Sequence, residues 1–191
     1  MTNTAPTASY QSSGEISGAF PWSGFLRRQR IWTDQGVKEL ILVAQETTLY
    51  GKDLYGEKSL HRLLKELCRI DGIRWIRILY CYPEEIDDNL IQVMKEEKKI
   101  CNYLDLPIQH ASDSILKRMG RRTSKAQLTE VIGKLRKEIP DICLRTTLIT
   151  GFPGETEEQH EELKEFVDEM EFDRLGVFTY SPEEDTPAAE M

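Results

Sequence analysis

The stretch "LRTTLITGFPGET", residues 144–156, changes character halfway along its length. Its first half is apolar and rich in β-branched side chains, which favour a buried strand. The sequence continues with "GFPG", from Gly151 to Gly154, where two glycines and a proline within four residues are typical of a tight turn. Thr156 and Gln159 have the spacing of a helix capping box. The stretch therefore predicts a strand, a glycine turn and a helix, in that order.

Two interpretations of the turn stay open. A plain turn followed by a helix N-cap explains Gly154 and Thr156 without any ligand. In the other interpretation, Gly151 and Gly154 let a flat ligand approach the backbone. Glu155 and the start of the helix would then offer it polar contacts. A Walker phosphate loop is excluded, because no Gly-Lys-Ser/Thr follows the turn.

The same alternation of strand and helix extends along most of the chain. Short, continuously apolar strands separated by amphipathic helices are typical of right-handed βαβ units and a parallel sheet. Such a sheet is either open and doubly wound or part of a barrel, and both place a ligand at the carboxyl ends of the strands. The five predicted strands are residues 38–45, 73–81, 102–109, 142–150 and 174–181.

Composition divides the chain into a leader and one domain. Residues 1–33 are rich in small polar residues without a helical or strand period, so we expect a disordered leader before a domain over residues 34–191. The net charge of -8 argues against direct binding of nucleic acid by a broad basic surface. The longest apolar runs are too short to cross a bilayer and the chain opens without a secretory pattern, so we expect a cytoplasmic protein that avoids membranes.

Polar and glycine residues collect at the predicted strand ends. Taken singly each signal is weak: His110 is more often a structural histidine, oriented here by Gln109 or Asp113, than an acid or base. A carboxylate pair of Glu46 and Glu155 is a further hypothesis for acid–base work. The basic cluster, residues 117–125, is either a solvated loop or a contact for an anion. The polar and glycine candidates at the strand ends are Gln45, Gln109, His110, Ser112, Gly151, Gly154 and Glu155.

The four cysteines do not form a metal-binding pattern. Cys68, Cys81, Cys101 and Cys143 are far apart in sequence and lie among apolar neighbours. No two of them have the spacing of a metal clip. We therefore predict buried thiols in a reducing compartment, with no metal ligand and no disulfide among them.

Five segments of the chain, in order, carry a family resemblance: "KELILVAQETTLYGKDLYG", "IRILYCYPEEI", "YLDLPIQHASDSILKRMGRRTS", "LRTTLITGFPGET" and "FDRLGVFTYSPEEDTPAA". Together they resemble the radical-SAM domain of the methylthiotransferases, most closely the type that modifies an aspartate of a small-subunit ribosomal protein. The tRNA-modifying type is the nearer alternative. The resemblance covers roughly residue 34 to the end.

The resemblance implies an incomplete TIM-like barrel of the six-stranded radical-SAM kind that holds S-adenosylmethionine across its strand ends. Gln45 would lie near the methionine end of the cofactor, Gln109 to Ser112 near the ribose, and the strand entering the glycine turn beside the adenine. Arg145 would be a polar contact inside the barrel. The family uses a [4Fe-4S] cluster to generate a 5′-deoxyadenosyl radical, with flavodoxin or ferredoxin as electron donor and a ribosomal small-subunit protein as partner.

The sequence departs from this family at the cluster. The family's CxxxCxxC loop precedes the first segment, and residues 1–67 contain no cysteine. From the resemblance we also expect the first barrel strand, an auxiliary-cluster domain and a substrate-binding domain to be absent from this chain, and Asp185 stands where the family more usually has glycine. Three hypotheses follow: part of a methylthiotransferase barrel that is inactive alone, a non-catalytic protein binding S-adenosylmethionine or a partner, and an unrelated α/β enzyme using His110 and Glu155 directly.

Overall fold

A computed structural model describes residues 23–24 and 35–191. The predicted leader, residues 1–33, lies outside the described residues except for 23–24. Five parallel strands form one sheet in the order β1-β2-β3-β4-β5. They are β1 (Glu39–Leu42), β2 (Trp75–Ile78), β3 (Ile100–Asp105), β4 (Cys143–Thr150) and β5 (Arg174–Thr179).

Helices follow the first four strands. All five strands were predicted at approximately the right positions, and the alternation with helices is confirmed. Within the described residues β1 and β5 each pair with one neighbour only, so the sheet is open rather than a closed barrel. The helices are α1 (Lys52–Tyr55), α2 (Leu60–Cys68), α3 (Asp88–Glu96), α4 (Asp113–Arg118), α5 (Lys125–Glu138) and α6 (Glu157–Met170), and 3₁₀ turns occupy Thr47–Leu49, Pro83–Glu85 and Pro187–Glu190.

The core lies between the helices and one face of the sheet. Alternate residues of β2, Ile76 and Ile78, are fully buried, and helix residues such as Leu64 and Phe166 pack in the same cluster. Apolar burial of this kind is the main force that holds a helix against a sheet. Strand β5 differs, because most of its residues are exposed.

Strand β3 is shorter at its carboxyl end than the sequence predicted. It ends at Asp105, because Pro107 has no N–H to continue the ladder. The chain rejoins β4 at Gln109, whose N–H donates to the Thr147 carbonyl over 2.9 Å. The Ile149 N–H donates to the Gln109 carbonyl over 2.8 Å. Gln109 has a φ of +69°, so the backbone turns sharply there.

Helix caps follow the sequence closely. The capping box of Thr156 and Gln159 is confirmed at the start of α6, and the Ser124 side chain accepts a bond from the Gln127 N–H at α5. Ser112 occupies the N-cap position of α4, but its side chain makes no capping bond. Among the described residues, no helix is both long and apolar enough to span a bilayer.

Candidate functional site at the strand ends

The carboxyl ends of all five strands meet at one edge of the sheet, because every pairing is parallel. Glu46 follows β1, Cys81 follows β2, His110 follows β3, Gly151 follows β4 and Tyr180 follows β5. Polar groups and a glycine turn are therefore presented on the same edge, as the sequence predicted. The contacts they make differ from those expected.

His110 is fully buried between the β3–α4 connection and the turn after β4. The Ser112 N–H donates to its Nδ1 over 2.9 Å, and its Nε2 lies 3.4 Å from Glu155 Oε1. The expectation that Gln109 or Asp113 orients the ring was wrong: Asp113 instead accepts a bond from the Lys125 N–H. Burial lowers the pKa of His110 below its usual value, against the opposing effect of the Glu155 carboxylate.

The Glu155 carboxylate contacts several groups in and around the turn after β4. Its side chain is only 4% exposed, and Oε2 accepts the Phe152 N–H over 3.0 Å. Oε1 accepts a bond from His160 Nδ1 over 3.0 Å. Burial alone would raise the pKa of Glu155, but these bonds and His110 outweigh it and hold the pKa below its usual value. Sequence reasoning missed His160, although its i+5 spacing on the next helix was visible.

The two glycines of the turn have different surroundings. Gly151 has a φ of +70°, and a β-carbon added there would meet nothing within 4 Å, so the backbone is open to a ligand. Gly154 has a φ of +80°, and an added β-carbon would overlap the guanidinium of Arg118. Arg118 donates to the Pro153 carbonyl over 3.0 Å. The left-handed φ of Gly154 therefore explains the glycine without a ligand, whereas the Arg118 guanidinium is the flexible end of a side chain that could move aside.

Arg145 forms an ion pair that the sequence did not reveal. Its Nη1 lies 2.5 Å from Oδ1 of Asp105, whose side chain is 3% exposed. Asp105 Oδ2 also accepts the Tyr80 N–H over 3.2 Å. The bond to Asp105 raises the pKa of Arg145. Asp105 was hidden inside the predicted third strand, and only the register of Asp105 with Arg145 identifies the pair.

Gln45 and Glu46, which are neighbours in the segment after β1, differ in their exposure to solvent. Gln45 is exposed, whereas Glu46 is half-buried and accepts bonds from the Thr48 N–H over 3.0 Å, the Thr48 hydroxyl and the Tyr82 N–H over 2.9 Å. Glu46 and Glu155 have separate sets of partners, so the hypothesis of a working carboxylate pair finds no contact to support it. Burial raises the pKa of Glu46 to about 7, although its hydrogen bonds act in the opposite direction.

Glu46 should make the folded chain less stable as the pH rises. A carboxyl whose pKa is raised from 4.5 to about 7 binds its proton more tightly in the folded state. Its contribution is therefore complete below pH 4.5 and is lost as the pH rises through 7. We expect a loss of about 2 kcal/mol in the free energy of unfolding across this window, after a reduction for partial solvent access. Urea unfolding at several pH values measures it.

The matched control for this pH dependence is Glu130→Gln, which removes an exposed carboxylate on α5. Glu46→Gln should flatten the difference in unfolding free energy between acid and alkaline pH, whereas Glu130→Gln should leave it unchanged. Identical profiles for the wild type and Glu46→Gln would contradict a raised pKa at this site.

Several cations of the basic cluster, residues 117–125, already contact other residues of the chain. In the basic cluster, Lys125 pairs with Glu162 over 3.2 Å. Arg121 stacks 4.1 Å from the ring centroid of Tyr82 and lies 3.3 Å from Glu84. These cations, together with Arg118, stabilise local structure, which removes most of the argument for an anion contact.

The cysteines agree only in part with their prediction. Cys68 and Cys81 are buried, whereas Cys101 and Cys143 are half-buried. Burial raises the pKa of all four thiols, to about 12 at Cys68. All four are free thiols, and within residues 23–24 and 35–191 no three acidic, histidine or cysteine side chains converge as a metal site.

The sequence was compared with those of curated proteins, and related proteins were found. The chain is 69% identical over 171 residues to the ribosomal protein uS12 methylthiotransferase RimO of Lachnoclostridium phytofermentans, a match covering 90% of this chain and 39% of that protein. The chain spans less than two fifths of the length of the curated relatives it matches.

Two solved structures share the fold at low sequence identity. Streptococcus suis SuiB bound to S-adenosylmethionine has a TM-score of 0.60 at 20% identity, over 89% of this chain and 36% of that one. The radical S-adenosylmethionine methyltransferase TsrM from Kitasatospora setae, with cobalamin and a [4Fe-4S] cluster bound, has a TM-score of 0.65 at 14% identity, over 83% and 31%. The sequence model of the radical SAM superfamily, a protein-family model, matches residues 21–167, more than half of the sequence. The chain therefore belongs to the radical SAM superfamily, and its open parallel sheet is an incomplete form of that family's TIM-like barrel.

Proposed function

We propose that the chain is the S-adenosylmethionine-binding part of a methylthiotransferase that acts on ribosomal protein uS12. The observation that carries the proposal is the 69% identity over 171 residues to an enzyme of that name. It favours a ribosomal protein over tRNA as the substrate of the whole enzyme. Family resemblance adds two further proposals, a cytoplasmic location and a flavodoxin or ferredoxin as electron donor.

Among the residues at the strand ends, Gly151 best supports binding of S-adenosylmethionine. Gly151 leaves its backbone open at the end of β4, where a flat base can approach. The backbone groups of Gln109 are already bonded to β4, so only its side chain remains for a ligand. When bound, the cofactor supplies its sulfonium group, and the chain's role is to orient it. The proposed site residues are Gln45, Gln109, His110, Ser112, Arg145, Gly151, Gly154 and Glu155, of which His110, whose ring is buried, Gly154 and Glu155 act through the shape of the loops and not by direct contact.

The residues of this chain do not fit a [4Fe-4S] cluster. A site-differentiated cluster needs three thiolates from one short loop. The four cysteines lie on separate elements, and their raised pKa values oppose the thiolate form that binds iron. The same observation favours a second candidate function for this chain, the binding of S-adenosylmethionine or a protein partner without catalysis. Anaerobic reconstitution with iron and sulfide should give no brown cluster absorbance.

Binding of S-adenosylmethionine by the full 191-residue chain tests the proposal. Isothermal titration should detect binding that Gly151→Ala weakens. Gly120→Ala is the matched control, because Gly120 has a φ of +72° and equally open surroundings but lies after α4. Both substitutions should cost a similar free energy of unfolding, about 1 kcal/mol. Only Gly151→Ala should reduce the affinity for the cofactor.

Each outcome of that titration has a definite meaning. Equal affinities in the two alanine variants would remove Gly151 from the cofactor site. An absence of binding by the wild-type chain at millimolar cofactor would reject the proposed function for this chain. Binding without cluster absorbance agrees with both candidates, whereas the appearance of cluster absorbance would reject the non-catalytic one.

A further inference from the structure

His110 contacts both loops of the proposed cofactor site through opposite nitrogens of one ring. Nδ1 accepts the Ser112 N–H on the β3–α4 connection, and Nε2 faces Glu155 on the turn after β4. The ring is fully buried, and its Nε2 has no hydrogen-bond partner of good geometry. Such a buried, under-bonded nitrogen in a native structure requires an explanation.

The bond from Ser112 determines which nitrogen carries the proton. Because Nδ1 accepts a backbone N–H, it must be unprotonated, and the neutral ring is the Nε2–H tautomer. Nε2 lies 3.4 Å from Glu155 Oε1, but its N–H makes no hydrogen bond of good geometry to that carboxylate. A second proton would have to bind Nδ1, where it would face the Ser112 N–H. Protonation therefore breaks the link to Ser112, while attraction to Glu155 remains.

We infer that His110 is a positioning residue, a neutral strut that sets the spacing between the Ser112 loop and the Gly151–Glu155 turn and that releases Ser112 when its ring is protonated. The inference rests on the proposed function for its effect on S-adenosylmethionine, since Ser112 and Gly151 are proposed contacts of that cofactor. The strut itself is a property of the fold and is measured separately.

The charged groups around the ring agree with a neutral strut. Glu155 and Glu162 favour protonation of His110, and His160 opposes it. Lys125 pairs with Glu162 over 3.2 Å, which reduces the influence of that carboxylate. Burial outweighs the acidic neighbours and lowers the pKa of His110 below 6.5. The contribution of the strut is therefore present above pH 6.5 and is lost as the pH falls through the lowered pKa of His110.

The two amide isosteres of histidine separate the ends of the strut. His110→Asn keeps an acceptor near the position of Nδ1, and His110→Gln keeps a donor near the position of Nε2. Neither side chain titrates. We expect the affinity of the wild-type chain for S-adenosylmethionine to fall as the pH is lowered from about 7.5 through the lowered pKa of His110. Both variants should bind more weakly than the wild type at neutral pH, with affinities that do not depend on His110 protonation.

His61→Gln and His160→Gln complete the set, since the chain has three histidines. His61→Gln removes a histidine on α2 and should preserve the wild-type pH profile. If the pH dependence disappears in His160→Gln and persists in His110→Gln, His160 is the group that titrates and the inference is overturned. A wild-type affinity that is constant over this pH range also overturns it.

Nuclear magnetic resonance tests the strut without any cofactor. In the ¹⁵N-labelled chain the His110 ring should show the Nε2–H tautomer at neutral pH, and the Ser112 amide signal should move as His110 titrates. An Nδ1–H tautomer, or a Ser112 amide that does not respond, overturns the inference even where the cofactor binds. If the cofactor fails to bind at any pH while Ser112 titrates as expected, the strut is supported and the proposed function fails.

Discussion

Replacing Arg145 by methionine should destabilise the folded chain by about 2–4 kcal/mol, because it leaves the buried carboxylate of Asp105 without a counter-ion. Asp105 is 3% exposed and lies 2.5 Å from Arg145 Nη1. The Tyr80 N–H alone would remain to stabilise its charge. Methionine preserves most of the apolar stem, so lost packing contributes little. Urea unfolding of the wild type and the variant measures the difference.

A double-mutant cycle separates the ion pair from other effects. Asp105→Asn removes the buried charge, so the double variant Arg145→Met/Asp105→Asn should be more stable than Arg145→Met alone. Arg174→Met is the matched control, since Arg174 is the exposed partner of Arg145 in the register of β4 and β5. It should change the free energy of unfolding by less than about 0.5 kcal/mol. Strict additivity in the cycle would show that the two side chains are not coupled.

Replacing Phe166 by alanine should cost about 3–5 kcal/mol, the usual loss when a buried aromatic side chain leaves a cavity. Phe166 is fully buried on α6 and belongs to the cluster that joins the helices to the sheet. A domain of this size has a total stability of about 5–15 kcal/mol, so the variant should unfold at a much lower urea concentration. The midpoint of urea unfolding is the measurement.

Two further substitutions keep this prediction testable if Phe166→Ala does not fold at all. Val167→Ala removes a partly buried side chain from the next position of α6 and should cost about 1 kcal/mol. Phe166→Leu keeps most of the apolar volume and should cost less than about 2 kcal/mol. If Phe166→Leu and Val167→Ala were as damaging as Phe166→Ala was expected to be, the loss would come from α6 as a whole and not from a cavity.

Repeating apolar segments made the order of strands and helices predictable. The end of β3 was harder to predict, since the apolar text continues through Pro107 to Gln109 while the hydrogen-bonded ladder stops at Asp105. The short helix α1 has no buried residue and so gives no hydrophobic period to read. Asp185, where the family resemblance predicts glycine, adopts a φ of +62°, a left-handed conformation that glycine adopts without strain.

The candidate site was predictable as a place but not as a set of contacts. Strand ends of a parallel sheet converge whatever their side chains, which is why His110 and Glu155 could both be chosen from the sequence. Which atoms meet depends on backbone turns of a few residues. The Ser112 N–H donates to His110, only two residues earlier, because the chain turns back on itself there. The pKa of Glu46 is raised by its burial in the segment next to Tyr82. Residue spacing does not report either arrangement.

The sheet order has a consequence for how the chain folds. Each strand from β2 to β5 pairs with the strand immediately before it in sequence, so each new pairing closes a loop of only a few tens of residues. Proteins with such local contacts fold faster than those that join distant segments. Each strand and its following helix can therefore dock onto the growing sheet as synthesis releases them, and assembly can proceed from β1 to β5 in the direction of translation.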